Sequence, residues 1–295
     1  MTKVSFITSL YNCLPFTREM VASLAATLPR DLDWELILID DGSTDGTRDW
    51  LASLTAPIRV VLNERNLGFA GSNNRAARLA GGEFLFFLNN DLVLLPGWFE
   101  PMLAAFDRCP QPGLIGNLQL VHATGKLDHR GVKFDPLRRP FHDQAAWPWT
   151  GRAPYSRYRA VTAACCAVRR ATFLEAGAFD EAFRNGYEDV DLCLRLERFG
   201  FRNYVANRSV VRHRVSSSPE RFTAETANLH LFLHRWGWPQ RPPTARWLGY
   251  CYLHRYWLTP WRYNGSKLLL AFARLITNRL CDVLIKRWNI KGAVT

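Results

Sequence analysis

The sequence predicts an α/β domain built on a mainly parallel, Rossmann-like sheet with helices on both faces. Two observations lead there. Short apolar runs alternate with helical patterns through the first 120 residues, and clusters of acidic or amide side chains stand directly after several of those runs. Helices inserted between strands supply the crossovers that parallel strands need, and they cover both faces of the sheet. With 295 residues, 48% hydrophobic and 13% aromatic, the chain can bury one substantial core, with or without an appendage.

Apolar runs place strands at 3–9, 34–39, 58–62 and 83–88, and 3.6-residue periodicity places helices at about 15–28, 45–54, 69–80 and 97–108. Asp41-Gly42 turns the chain after the second strand, Ser43 or Thr44 stands where it can cap the next helix, and Pro96 sits near the start of another. Residues 121–160 break the rhythm with His122, His129, His142 and Trp147-Pro148-Trp149, which reads as a long loop or short antiparallel strands. Periodicity returns at 173–178 and 188–199, so that Asp189 falls in a first helical turn, near its electropositive end. Ser209-Val210-Val211 forms an apolar strand leading to His213.

Charge divides the chain into two expected parts, a domain over 1–240 and a helical extension over 241–295. The net charge is +12, and residues 241–295 hold ten Lys or Arg against Asp282 alone. From Lys267 to Trp288 apolar residues recur at helical spacing with basic residues elsewhere on the wheel, giving an amphipathic helix. Its aliphatic and aromatic content suits attachment to a membrane surface, with an ordinary packed C-terminal helix pair as the alternative, and nucleic acid is not the expected partner. The N-terminus lacks the apolar core of a signal peptide, and no apolar run reaches the ~18 residues of a spanning helix. Seven cysteines without a CxxC pair fit a reducing compartment. The expected location is therefore cytoplasmic, peripheral on the inner membrane face.

Four clusters and one histidine carry candidate chemistry. Asp40 and Asp41 end a strand at the ligand rim, where carboxylates can accept hydrogen bonds from a pyrimidine N–H or a ribose hydroxyl, although Asp-Gly-Ser is also ordinary turn sequence. Asn63 to Asn73 joins Arg65, Asn66 and Gly68 to a helix start able to approach phosphate or ribose. Asn89-Asn90-Asp91 follows a buried strand, and Asp91 offers a hard oxygen to Mg²⁺ or Mn²⁺. His213, followed by Arg214, is the candidate second ligand. Glu188-Asp189 opens a helix with one carboxylate able to act as base and the other to orient an acceptor, while a negative first turn also suits the helix dipole. Neither GxGxxG nor GxxxxGK[ST] occurs, which disfavours a nicotinamide dehydrogenase and a P-loop nucleotidase.

Asp40-Asp41-Gly42-Ser43-Thr44-Asp45, Arg65-Asn66-Leu67-Gly68, Asn89-Asn90-Asp91 and Gly177-Ala178-Phe179-Asp180-Glu181 leading to Tyr187-Glu188-Asp189-Val190-Asp191 together resemble family 2 glycosyltransferases of the GT-A fold, over about residues 3–235. The resemblance implies a nucleotide-diphosphosugar donor, a glycan or lipid-linked acceptor, Mg²⁺ or Mn²⁺ as cofactor, and displacement with inversion at the anomeric carbon. On that basis Asp189 matches the catalytic base, with Glu188 beside it, and Asp91 and His213 match the metal ligands. Tyr11, Asn12, Asp40, Asp41, Arg65, Asn66, Gly68, Asn90 and Asp91 are the donor-binding candidates. Two departures stand out: Asn89-Asn90-Asp91 holds one carboxylate where the family often has two, and Val215-Ser216-Ser217-Ser218 lacks the glycine often found after the histidine. A nucleotide-sugar-binding protein without turnover, or a nucleotidyltransferase, are the alternatives; the second would need a Gly-rich loop with Lys that Tyr11-Asn12-Cys13-Leu14-Pro15 does not supply.

Overall fold

The computed structural model describes residues 3–135, 138–144, 153–214 and 224–236, together with isolated positions at 250, 253, 265, 268, 269, 271 and 272. The first eight expected elements form with boundaries within two residues of the sequence reading. They are β1 Val4–Leu10, α1 Leu14–Thr27, β2 Trp34–Asp40, α2 Thr47–Ala52, β3 Ile58–Leu62, α3 Gly68–Leu79, β4 Phe84–Leu88 and, after β5 Leu92–Leu94, α4 Phe99–Arg108. There follow β6 Pro112–Val121, β7 Leu127–His129, β8 Val132–Phe134, β9 Pro140–His142, β10 Tyr155–Tyr158, β11 Cys165–Arg169, α5 Arg170–Glu175, α6 Glu188–Arg198, β12 Arg202–His213 and α7 Glu225–Trp236. The irregular 121–160 stretch is thus short strands where it is described, and the basic helix expected within 241–295 falls mostly outside the described residues.

The main sheet runs β10-β12-β6-β11-β4-β1-β2-β3, with β5 on β12 and β7 on β6. Its β4-β1-β2-β3 half is parallel, while β11 runs antiparallel to both β4 and β6. The sheet is therefore mixed, its antiparallel part built from strands the sequence pattern does not announce.

Strand alternation assigns the apolar residues to two cores, one on each face. Val4, Phe6, Leu36, Leu38, Phe84 and Phe86 point to the face covered by α1 and α4 through Met20, Leu24, Trp98, Phe99 and Met102. Ile7, Ile37, Ile39, Leu85 and Phe87 point to the other face, under α3, α5, α6 and α7. Aromatic rings lock each side: Phe86 lies 5.1 Å from Phe99, and Phe87 lies 5.0 Å from both Phe173 and Phe179. Each such ring, fully buried, stabilises the fold by about 1.5–3 kcal/mol before entropy is counted.

Register then fixes a single rim. Leu10 pairs with Asp40, and Asp40 with Leu62, so β1, β2 and β3 end level. Because β12 is parallel to β6, and both β6 and β4 are antiparallel to β11, His213 leaves the sheet at the same end as Asn89-Asn90-Asp91.

The cap expected at Ser43 or Thr44 does not form. Helix α2 begins after Gly46, at φ 88°, with no side-chain cap. The Ser43 hydroxyl instead accepts a hydrogen bond from the Asn12 amide at 2.8 Å, tying the β2–α2 turn to the β1–α1 loop. Cys13, Cys109, Cys165, Cys166 and Cys193 are free thiols. Among the described residues, no helix is long and apolar enough to cross a membrane.

Candidate active site

The rim after β1 and β2 is a network of self-satisfied polar groups. Asp40 is fully buried; its carboxylate accepts from the Gly42 and Ser43 amides at 3.2 Å and from Arg48 Nε at 2.6 Å. It therefore shapes the turn from inside. Asp41 is also buried and accepts from Asn63 Nδ2 at 2.8 Å, Leu67 N at 2.7 Å and Gly68 N at 2.8 Å, which leaves one lone pair on Oδ2. These bonds bring the start of α3 against the end of β2. Gly68 permits this with φ 74°, a conformation that costs other residues steric strain.

Asn12 Oδ1 accepts from the Thr44 amide at 2.8 Å, and Tyr11 next to it exposes 48% of its surface beyond the end of β1. Arg65 and Asn66 are exposed on the turn into α3, where Asn66 Oδ1 accepts from Gly68 N at 3.0 Å. Asn90 Nδ2 donates to Thr17 Oγ1 at 3.1 Å, so Asn90 ties the segment after β4 to α1.

Asp91 and His213 meet: Asp91 Oδ1 lies 3.2 Å from His213 Nε2, and the Asp91 carbonyl accepts from the Arg214 amide at 3.0 Å. The imidazole, 2% exposed, has Asp128 Oδ2 at 3.7 Å from its Nδ1, and neither ring nitrogen makes a hydrogen bond of ordinary geometry. Burial alone would lower the His213 pKa, but Asp128 and Asp91 together push it up to about 9. Two carboxylates around one imidazole form a strongly anionic pocket that suits a cation. Carboxylate oxygen and imidazole nitrogen are donors that Mn²⁺ accepts readily, and Mg²⁺ takes the oxygens. The residues therefore fit the divalent ion.

A second donor set shares the histidine. Asp128, His129 and His213 each present a ligand atom within 4.8 Å of the others, all three on β7 or at the end of β12. Sequence reasoning singled out His129 only as part of an irregular stretch and passed over Asp128. A neutral imidazole has one lone pair and one N–H, so His213 can serve one set as ligand while its other nitrogen donates to the other set's carboxylate.

Asp189 stands in the first turn of α6, partly exposed, with Oδ2 accepting from the Ala163 amide at 3.0 Å and Oδ1 from Val190 N at 2.8 Å. The next residue, Ala164, accepts from the Asn89 amide at 2.8 Å. Two consecutive alanines before β11 thus join Asp189 to the segment that carries Asp91. Glu188 is buried, and its Oε2 accepts from the Gly186 amide at 2.6 Å, closing the turn that precedes the helix. Cys165 and Cys166, directly after those alanines, are fully buried thiols whose pKa burial drives well up.

Comparison with known proteins bears on this rim. The chain is 32% identical over 227 residues to the O-antigen biosynthesis protein RfbC of Myxococcus xanthus, covering 73% of this chain and 18% of that protein. It is 26% identical over 268 residues to the N-acetylglucosaminyl-diphospho-decaprenol L-rhamnosyltransferase of Mycobacterium tuberculosis, covering 80% and 86%. A further relative, y4gI of Sinorhizobium fredii, is matched over only 25% of its length. Of solved structures, GalNAc-T7 with UDP, GalNAc and Mn²⁺ superimposes with a TM-score of 0.64 at 16% identity, over 98% of this chain and 57% of that one. The mannosyltransferase PcManGT of Pyrobaculum calidifontis with GDP-Man and Mn²⁺ gives 0.56 at 17% identity, over 98% and 75%. Both show the fold to be of the GT-A kind. The sequence profile described as glycosyl transferase family 2 matches residues 5–167, more than half of the chain, and the chain belongs to that family.

Proposed function

We propose that the protein is an inverting glycosyltransferase moving a sugar from a nucleotide-diphosphosugar to a hydroxyl of a glycan or lipid-linked acceptor. The observation that carries the reading is the convergence of Asp91 with His213 on a rim joined through Ala163 and Ala164 to Asp189. A divalent ion bound by Asp91 and His213 would supply positive charge to the diphosphate leaving group. The chain's own residues do the rest. Asp189 takes the proton of the acceptor hydroxyl as its oxygen attacks the anomeric carbon from the side opposite the nucleotide. Ala163 N and the first turn of α6 hold that carboxylate in place. The loops carrying Tyr11, Asn12, Asp41, Arg65 and Asn66 form the donor side, with Arg65 exposed to meet phosphate.

The names of the relatives, one an O-antigen biosynthesis protein and one an N-acetylglucosaminyl-diphospho-decaprenol L-rhamnosyltransferase, support this acceptor class. The working place is the inner face of a membrane, where the basic, aromatic-rich residues 241–295 attach to anionic lipid. The test is product formation. A panel of UDP-, GDP- and dTDP-sugars is incubated with Mn²⁺ and prenyl-diphosphate sugar acceptors, and products are followed by mass and anomeric configuration. Donor binding without a product would make the protein a binding module, and retention of configuration would remove Asp189 as a base acting in a single displacement.

A further inference from the structure

The loop that delivers Glu188 and Asp189 has an unusual backbone. Asn185, Gly186 and Tyr187 in succession have φ of 52°, 152° and 76°. Left-handed conformations cost the two non-glycine residues about 1–2 kcal/mol each, so contacts from outside the loop must hold it. Helix α7 provides them. Asn228, 4% exposed, accepts from Arg184 N at 3.1 Å and donates through Nδ2 to Arg184 O at 2.8 Å and Gly186 O at 3.0 Å. One amide thereby satisfies three backbone groups that neither α6 nor a strand engages.

The contacts continue along one stripe of α7. Phe232, four residues on, places its ring 5.6 Å from Tyr187, and Trp236, four further, donates Nε1–H to Asp191 Oδ1 at 2.9 Å. Residues at this spacing share a helix face. That face therefore meets the turn before Asp189 and the helix turn after it. Phe69 N adds a contact from α3, donating to Asn185 Oδ1 at 3.2 Å.

We infer that Asn228 is a positioning residue for transfer, acting through the Arg184–Tyr187 turn to set where the Asp189 carboxylate stands relative to the acceptor oxygen. The inference rests on Asp189 being the base. A misplacement of about 1 Å at a reacting group can cost roughly 100-fold in rate. Loss of Asn228 should therefore act mainly on turnover: the same turn reaches the start of α3 through the Phe69 N–Asn185 Oδ1 bond, while the loops after β1 and β2 are tied to each other by Asn12, Ser43 and Thr44.

The fold contains a matched control. Asn203, fully buried at the start of β12, bridges Arg159 O at 2.9 Å, Cys193 O at 3.0 Å and Leu114 N at 3.0 Å, at the opposite end of the strand from His213. The full chain and its Asn228→Ala, Asn228→Asp, Asn203→Ala and Asp189→Asn variants are compared by release of nucleotide diphosphate in Mn²⁺ with a prenyl-diphosphate sugar as acceptor, using whichever of a set of UDP-, GDP- and dTDP-sugars the unmodified chain turns over fastest. Asn228→Ala should lower kcat by about 10–100-fold with donor KM nearly unchanged, whereas Asn203→Ala should lose thermal stability but keep kcat. If Asn228→Ala does not fold, Asn228→Asp, which keeps size and acceptor but loses both donors, carries the test. Wild-type kcat in the Asn228 variants, an effect on KM alone, or an equal kcat loss in Asn203→Ala overturns the inference. Persisting turnover in Asp189→Asn, or none in the unmodified chain, overturns the base assignment as well; an inactive Asp189→Asn beside an active Asn228→Ala removes the Asn228 role only.

Discussion

Asp91 Oδ1 stands 3.2 Å from His213 Nε2, and the same imidazole turns Nδ1 toward Asp128 Oδ2 at 3.7 Å. A histidine held between two carboxylates can give its lone pair to only one side. Asp91 directly follows Asn90, whose side-chain amide donates to the Asn12 carbonyl, whereas Asp128 and His129 stand on β7, with His129 1% exposed. On the proposed reading a cation on the diphosphate would bind with Asp91, and Asp128 would orient the ring.

Mn²⁺ alone should raise the melting temperature of the protein, because a ligand that binds only the folded state stabilises it by mass action. Asp91→Asn or His213→Ala should abolish that rise, Asp128→Asn should weaken Mn²⁺ binding by about 10–100-fold, and His129→Ala should leave it in place. The converse pattern, His129→Ala abolishing the shift while Asp91→Asn keeps it, would put the cation on the Asp128 side.

Proton and metal compete for this imidazole. With a folded pKa near 9 against an ordinary 6.5, the charged ring contributes stability to the metal-free protein that is fully present below about 6.5 and lost as pH rises through about 9. A metal needs the neutral ring. The thermal shift produced by a fixed Mn²⁺ concentration should therefore grow between pH 6.5 and 8.5, and a flat profile would mean that His213 is not a ligand.

What the sequence made legible is what local pattern encodes. Short apolar runs located β1, β2, β3 and β4, and with them the positions of Asp40, Asp41 and Asp91 at or just after the strand ends. The shared rim for His213 followed from an apolar run of only three residues. Asp128 and His129 escaped because β7 is three residues long and exists through its pairing with β6. Asn228 escaped for a different reason: its stripe with Phe232 and Trp236 is visible at helical spacing, but the turn it holds lies more than forty residues earlier. The internal use of Asp40 was equally hidden, since an aspartate at a strand end looks the same whether it faces a ligand or Arg48.

That burial makes a stability prediction. Arg48 is 43% exposed, yet it pairs with the fully buried Asp40 and also donates Nη2–H to the Asn63 carbonyl at 3.0 Å. Arg48→Ala leaves a buried carboxylate supported only by turn amides, at a cost of about 1–3 kcal/mol. Arg48→Lys, which keeps the charge but not the fork, should cost less. Urea unfolding of the two variants measures this, and an unchanged midpoint for Arg48→Ala would show that the amides alone suffice.

The C-terminal charge asymmetry has a cellular readout. Ten basic residues against one acidic, interleaved with Trp and Tyr, favour an anionic surface. Deleting residues 266–295 should shift the protein from the membrane to the supernatant on fractionation, and high salt should do so in part. Identical partitioning of the full and truncated chains would leave membrane attachment without support.

Asp189 and Glu188 are adjacent carboxylates with different surroundings, and that difference separates their roles. Glu188 is 5% exposed and faces back to the Gly186 amide, whereas Asp189 is more open and held from across the site by Ala163 N. A general base contributes about 10²–10⁴-fold, so Asp189→Asn should lower kcat by that range while donor-induced thermal stabilisation persists. Glu188→Gln keeps an oxygen acceptor for Gly186 and should reduce kcat far less. The two variants exchange places in the rate assay if the proton goes to Glu188, and that result would move the base by one residue and turn Asp189 into a cap for the Ala163 amide.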